Sequence, residues 1–189
     1  MSAAVAERRS LLFVDPDDAG LYLPALRAQF EVTVVTTGSQ ALRALRTYKP
    51  TIVVTELVLP DGDGVSICRE SKVYPANPPA VLAMTSVPGL VPDALAAGCD
   101  SVLMKPFAPN LLFARIGRLV KQRAAAIIRH DARCPSCAGR GVISFDAVSR
   151  GRSWYACLPC RSAWIGVSAD AGGASRNPGT ALPPAAASG

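Results

Sequence analysis

The sequence predicts an α/β fold: a doubly wound, five-stranded parallel sheet, followed by a small β module and a low-complexity tail. Three observations carry this. Five short apolar runs alternate with segments of helical periodicity between Leu11 and Ile128. Four of those runs end in Asp15, Glu56, Thr85 and Lys105, polar residues of the kind that gather at strand ends in open α/β sheets. Two C-x-x-C pairs come next, and from about residue 169 the chain is mostly Ala, Gly, Ser and Pro.

Leu11-Leu12-Phe13-Val14 is short, apolar and bounded by charge, which reads as a strand buried on both faces. Asp17 or Asp18 can cap the following helix, whose Leu23, Leu26 and Phe30 recur at helical spacing. Glu31 to Thr36 is a second strand, and Ser39 to Thr47 a helix carrying Ala41, Leu42 and Leu45. Ile52-Val53-Val54-Thr55 leads into Glu56 as the third strand, and Pro60 with two Asp-Gly pairs marks a turn after it. Val65 to Val73 follows as a helix, Pro79 to Met84 as a strand, and Val91 to Ala97 as a helix stopped by Gly98. Ser101 to Met104 is the fifth strand. A long helix then runs from about Pro109 to Ile128, with Leu112, Ile116, Leu119 and Val120 as its apolar stripe. Strands alternating with helices imply right-handed crossovers and a parallel sheet, with the four polar strand ends facing one crevice.

The chain has 189 residues, enough for one ordinary domain and a small one. No apolar run approaches the ~18 residues of a membrane span, and Met1 to Arg9 lacks the apolar core of a secretory signal. A cytoplasmic protein with no membrane partner is expected. The net charge of +6 is uneven. Up to Phe113 there are 9 basic against 11 acidic residues; from Ala114 to Arg161 there are 10 against 2. That asymmetry fits either a C-terminal part that meets nucleic acid or an acidic partner, or a solvated basic face.

Residues ~10–125, about 60% of the chain, resemble a response-regulator receiver domain. The matching features are Leu-Phe-Val-Asp15, the apolar run ending at position 56, Leu59-Pro60 with Asp63-Gly64, Met84-Thr85-Ser86, Ala97-Gly98-Cys99-Asp100 and Lys105-Pro106-Phe107. The resemblance implies a flavodoxin-like sheet and a site for phosphoryl transfer in a two-component phosphorelay. Three departures bear on that site. The phospho-accepting aspartate of the family is here Glu56, the second acidic residue after the first strand is Pro16, and the aromatic of the fifth strand is Val102. Thr85 and Lys105 are kept.

Phosphoryl transfer depends on positioning and on a metal ion that bridges the transferring oxygens. Magnesium takes one or two carboxylates, and Pro16 offers none. Glu56 reaches further than Asp by roughly 1.5 Å, where about 1 Å of misplacement costs on the order of 10²-fold in rate. A pseudo-receiver is expected that binds no magnesium and is not phosphorylated. Glu56 then either mimics the phosphorylated state by reaching Lys105 and Thr85, or makes the same ion pair with no signalling meaning. Val102 weighs towards the second. Cys68 and Cys99, without partners at metal-ligand spacing, read as small buried hydrophobes.

Cys134-Pro-Ser-Cys137 and Cys157-Leu-Pro-Cys160 are separated by 19 residues, the spacing of a four-thiolate zinc site. Val142 to Phe145 and Ser153 to Ala156 have strand character and would form the hairpin between the knuckles, so the module resembles a zinc ribbon. Four thiolates close the coordination shell and make the zinc structural. The first knuckle, with Gly139 and Gly141, also fits the zinc modules of J-domain co-chaperones, but the second lacks those glycines. A dithiol redox pair, and His130 as a substitute ligand, are weaker alternatives. Arg140, Arg150, Arg152 and Trp154 are candidate nucleic-acid contacts, although packing comes before base stacking for Trp154, Tyr155 and Trp164.

The expected organisation is a receiver-like domain over 10–128, a zinc ribbon over 129–168 and a disordered tail over 169–189. The expected function is non-catalytic signalling through protein partners, including a homodimer through the last receiver helix. The alternative is a transcriptional regulator that binds nucleic acid through the basic ribbon.

Overall fold

The structure, a computed structural model, describes residues 8–17, 19–73, 77–122, 128–130, 133–140, 142–148 and 152–167. Strands β1 (Ser10–Val14), β2 (Glu31–Val35) and β3 (Ile52–Glu56) come first, with helices α1 (Ala19–Gln29) and α2 (Gly38–Tyr48) between them. A two-residue hairpin, β4 (Val58–Leu59) and β5 (Gly62–Asp63), precedes α3 (Gly64–Ser71). Then come β6 (Ala80–Thr85), a 3-10 turn (Pro88–Leu90), α4 (Val91–Ala96), β7 (Ser101–Met104) and α5 (Pro109–Gln122). The second module contains β8 (Ile128–His130), β9 (Val142–Val148), β10 (Arg152–Cys157) and β11 (Ala163–Val167).

The main sheet is parallel with the order β2-β1-β3-β6-β7, the doubly wound arrangement the sequence predicts. Its strands are short runs of Leu, Val, Ile and Phe because both faces are covered. α1 and α5 cover one face, where Leu11, Phe13, Val54 and Leu103 pack with Tyr22, Leu26, Leu112, Ile116 and Leu119. α2, α3 and α4 cover the other, where Val53, Val81 and Val102 meet Ala41, Leu45, Ile67, Cys68 and Ala94. Each fully buried Val or Leu contributes roughly 1.5–3 kcal/mol, so these two layers hold the sheet. The strand order reverses at β1 and β3, which places the crevice at their C-terminal ends.

Local chemistry explains the element ends. The Thr37 hydroxyl accepts the Gln40 amide at the start of α2, and Lys49 closes it in the left-handed conformation at φ 46°. Asp61, in the hairpin turn, accepts the Gly38 and Ser39 amides and the Ser39 hydroxyl. These bonds, led by the Ser39 hydroxyl, pull its pKa down to about 2 and tie the hairpin to α2. Gly64 is required by close approach: a Cβ there would overlap the Glu56 carbonyl oxygen, while its amide donates to Leu57 at 2.8 Å.

Two expectations need correction. The helical periodicity after Pro109 extends to Ile128, but α5 is described over Pro109–Gln122 and Ile128 lies in β8, which pairs antiparallel with β9. Backbone pairing has overridden propensity there, and residues 123–127 lie outside those described. In α1 Leu26 is buried as the pattern predicts, but its companion is Tyr22, stacked on Phe107 with ring centroids 5.6 Å apart, while Leu23 is only half-buried. The expected hairpin between the cysteine pairs is present as β9 and β10, within a larger sheet ordered β11-β10-β9-β8. Among the described residues no helix is long and apolar enough to cross a membrane. The expected tail, 169–189, falls outside the described residues, as does Asp18.

Candidate functional site

Register brings the four strand-end residues together. Phe13 pairs with Val54 and Val14 with Thr55, so Asp15 and Glu56 emerge side by side from β1 and β3. Thr85 ends β6, and Lys105 follows β7 with its amide on the Thr85 carbonyl at 2.8 Å. The Lys105 ammonium lies 3.0 Å from Asp15 Oδ2 and 2.9 Å from Glu56 Oε2, bridging the two carboxylates. Asp15 is fully buried and Glu56 nearly so at 7% exposure, which makes that cation necessary.

The remaining acceptors are also engaged. Glu56 Oε1 accepts the amides of Leu57 at 2.8 Å and Val58 at 3.1 Å, so the longer side chain curls back onto its own main chain. Asp15 Oδ1 accepts the Asp17 amide at 2.9 Å. Thr85 is buried and its hydroxyl accepts the Val87 amide at 3.0 Å; among the described residues it is not a partner of Glu56. The expected reach of Glu56 to Lys105 is therefore present and its reach to Thr85 is not. Val102 is fully buried in the core layer beneath α4.

The second site is a cluster of four cysteines that could hold a metal ion. Sγ atoms of Cys134, Cys137, Cys157 and Cys160 all lie within 4.8 Å of one another. Cys134 and Cys160 are 3.6 Å apart, and Cys137 and Cys157 3.7 Å. Disulfides need about 2.05 Å, whereas sulfurs bound tetrahedrally at about 2.3 Å from zinc would stand ~3.8 Å apart. Both knuckles share one backbone pattern. The amide after the second cysteine, Ala138 or Arg161, returns to the carbonyl of the first at 2.9 Å, and that residue is left-handed at φ 55° or 60°. Ser136 and Gly139 amides point at Cys134 and Cys137 sulfur at 3.3 and 3.4 Å. Nothing in the sequence marks Ser162, yet its hydroxyl lies 3.1 Å from Cys160 Sγ and 3.5 Å from Cys134 Sγ.

Without a cation the four sulfurs are poorly matched. Burial opposes ionisation of Cys134, but hydrogen bonds led by Ser162 bring its thiol down to about 6. Burial pushes Cys157 up to about 12. Four thiolates in this space require a positive charge among them, and the donor set suits a thiophilic metal. Tyr155 and Trp164 stack at 5.9 Å and pack with Cys134, Cys157 and Val142 as the module's own small core. Arg140 and Arg152 are exposed, Arg150 lies outside the described residues, and Trp154 is half-buried against the receiver core. Cys68 and Cys99 are buried; burial followed by a hydrogen bond with Cys68 raises the Cys99 thiol well above its ordinary value.

Comparison with known proteins agrees with the parallel-sheet fold of the first module. Residues 20–117 match the response regulator receiver domain family model. The chain belongs to the response regulator receiver family. It is 35% identical over 112 residues to the DNA-binding response regulator MtrA of Mycolicibacterium smegmatis, covering 58% of this chain and 49% of that protein. It is 31% identical over 146 residues to the transcriptional regulatory protein CseB of Streptomyces avermitilis, covering 75% of this chain and 62% of that one. The chain thus spans about half the length of the MtrA protein it matches. Among solved structures, a receiver domain from Bermanella marisrubri aligns with a TM-score of 0.54 and 30% identity, over 60% of this chain and 98% of that one. The receiver domain of a Pseudomonas aeruginosa sensor histidine kinase, with magnesium in its active-site cleft, aligns at TM-score 0.54 and 26% identity, over 61% of this chain and 99% of that one.

Removing Lys105 tests the bridge. Lys105→Ala leaves two facing carboxylates with little water around them and is expected to cost about 3 kcal/mol in urea unfolding at pH 7. Adding Glu56→Gln should recover part of that loss, because one unpaired charge is gone. An unchanged unfolding midpoint for the single variant would show that the bridge contributes nothing.

Proposed function

We propose that this chain is a pseudo-receiver that signals by contact with proteins and holds a structural zinc ion on Cys134, Cys137, Cys157 and Cys160. The observation that carries the first part is the state of Glu56. Both its oxygens are already occupied, one by Lys105 and the other by two backbone amides. Phosphoryl transfer needs a free, in-line oxygen and a metal held by carboxylates. Position 16 is proline and supplies no second acid. Asp15, Glu56, Thr85 and Lys105 therefore act as a frame, and no enzymatic activity is assigned to them. The partner class is protein, including a second copy of this chain through α5, which leaves Leu111 37% exposed.

Incubation with acetyl phosphate and magnesium, followed by intact-mass measurement, should leave the mass unchanged; a phosphate found on Glu56 removes the pseudo-receiver reading. For the second site, atomic absorption on protein purified without chelator should find one zinc per chain, and Cys157→Ser should abolish it. Zinc retained undiminished by that variant would exclude the four-thiolate centre.

A second reading has its own support. MtrA is described as DNA-binding and CseB as a transcriptional regulator, and Arg140 and Arg152 are exposed on the second module. Under this reading the module would touch nucleic acid. The half-burial of Trp154 against the receiver core favours the protein-contact reading. Titration with duplex DNA separates the two. No binding at low salt is expected, and a salt-dependent association would reverse the preference.

A further inference from the structure

Strand β10 has two working faces. Tyr155 and Cys157 turn to the small core around the four sulfurs. Trp154, Ala156 and Leu158 belong to the apolar cluster of the receiver, together with Val91, Ala94 and Val102. This is the period of two of a strand, carried into the second knuckle. The next strand repeats it: Ala163 joins the receiver cluster and Trp164 the sulfur core. Ala156 and Ala163 are 0% and 3% exposed. Arg161, the left-handed residue that closes the knuckle, meets Asp93 of α4 at 3.2 Å. β10 lies against α4, β11 against the 3-10 turn before it, and β9 alongside β7. β7 is the last strand of the parallel sheet, and among the described residues β9 shares no ladder with it.

An open sheet edge is adhesive, and here it is covered by a module whose shape depends on the cysteine knuckles. Docking residues 156, 158, 161 and 163 are interleaved with ligand residues 157 and 160. The two sets cannot move independently along a stretch this short. The exposed ion pair adds little by itself, so the apolar face of β10 and β11 supplies the contact.

We propose that metal in the four-cysteine centre latches the second module onto the β7 edge and α4, and that loss of the metal uncovers this surface. The proposal rests on the zinc reading above. It makes the centre a control element as well as a structural one, because metal binding and docking are then linked and must influence each other by the same factor.

The test uses the full chain, zinc-loaded and after removal of zinc by a chelator under reducing conditions, with zinc content measured in the same samples. Hydrogen exchange is followed at residues 88–96 and 101–104. Amides there are expected to exchange about tenfold faster once zinc leaves, with β1 and β3 unchanged. Unaltered exchange at 88–96 after proven zinc loss overturns the latch and leaves the zinc reading standing. Protein that never holds zinc overturns both. Leu158→Asp supplies an arm that removes no ligand. It should release the same amides while still holding one zinc per chain, bound about tenfold more weakly. Wild-type exchange at 88–96 and wild-type zinc affinity in that variant would also overturn the latch.

Discussion

Lys105 sits between two carboxylates that the topology forces together, and the upper end of the sheet depends on it. Reversal of strand order at β1 and β3 puts Asp15 and Glu56 side by side in a buried crevice. Two negative charges at that spacing repel strongly where little water screens them. The ammonium reaches both from beyond β7, two strands away from β3 in the sheet order. It therefore fastens β1, β3 and β7 at one point. A metal ion between carboxylates would perform the same electrostatic task. In this chain the Lys105 ammonium takes part in that task by pairing with both carboxylates.

The extra methylene of Glu56 then has a structural outcome. It lets one carboxylate oxygen turn back to the amides of Leu57 and Val58 while the other stays on Lys105. Those amides begin the segment that Gly64 and Asp61 hold in place. Gly64 packs against the Glu56 carbonyl, and Asp61 ties the hairpin to α2. The loop after β3 is thus pinned from three directions. Such fastening supports the proposed reading of the crevice as a frame.

Much of this was legible in the sequence, for a physical reason. Buried parallel strands need short apolar runs, and their ends need polar residues, so Asp15, Glu56, Thr85 and Lys105 announce both the sheet and the crevice. The C-x-x-C spacing announces the four-sulfur cluster in the same way. What could not be read depends on tertiary choice. Ile128 follows a helical pattern but is taken into β8 by pairing with β9. Tyr22 is buried in place of Leu23 because Phe107 offers it a stacking partner. Thr85 turns to the Val87 amide, a local bond that competes with the longer reach to Glu56. Strand β11 was missed although Ala163-Trp164-Ile165-Gly166-Val167 is a plausible strand, since Gly166 interrupts the signal; its place is filled by the Tyr155 ring, 3.0 Å from where a Cβ would stand.

The deepest gap concerns how the two modules relate. Knuckles at ribbon spacing suggest a separate unit carried on a helix. In the structure Ala156 and Ala163 are buried in the receiver's own cluster, so the units share apolar surface. Only small side chains allow β10 to approach that closely, and a sequence reader has no cause to single out alanines. Sharing has an energetic consequence: surface buried between modules stabilises both, and neither can be loosened without exposing part of the other. Under the proposed pseudo-receiver reading, the strand ends around Lys105 carry no switch. Two-state behaviour would then arise where occupancy can change while the frame stays fixed. The four sulfurs behind β10 are such a place under the zinc reading, and the strand that carries Cys157 also carries the contact with α4.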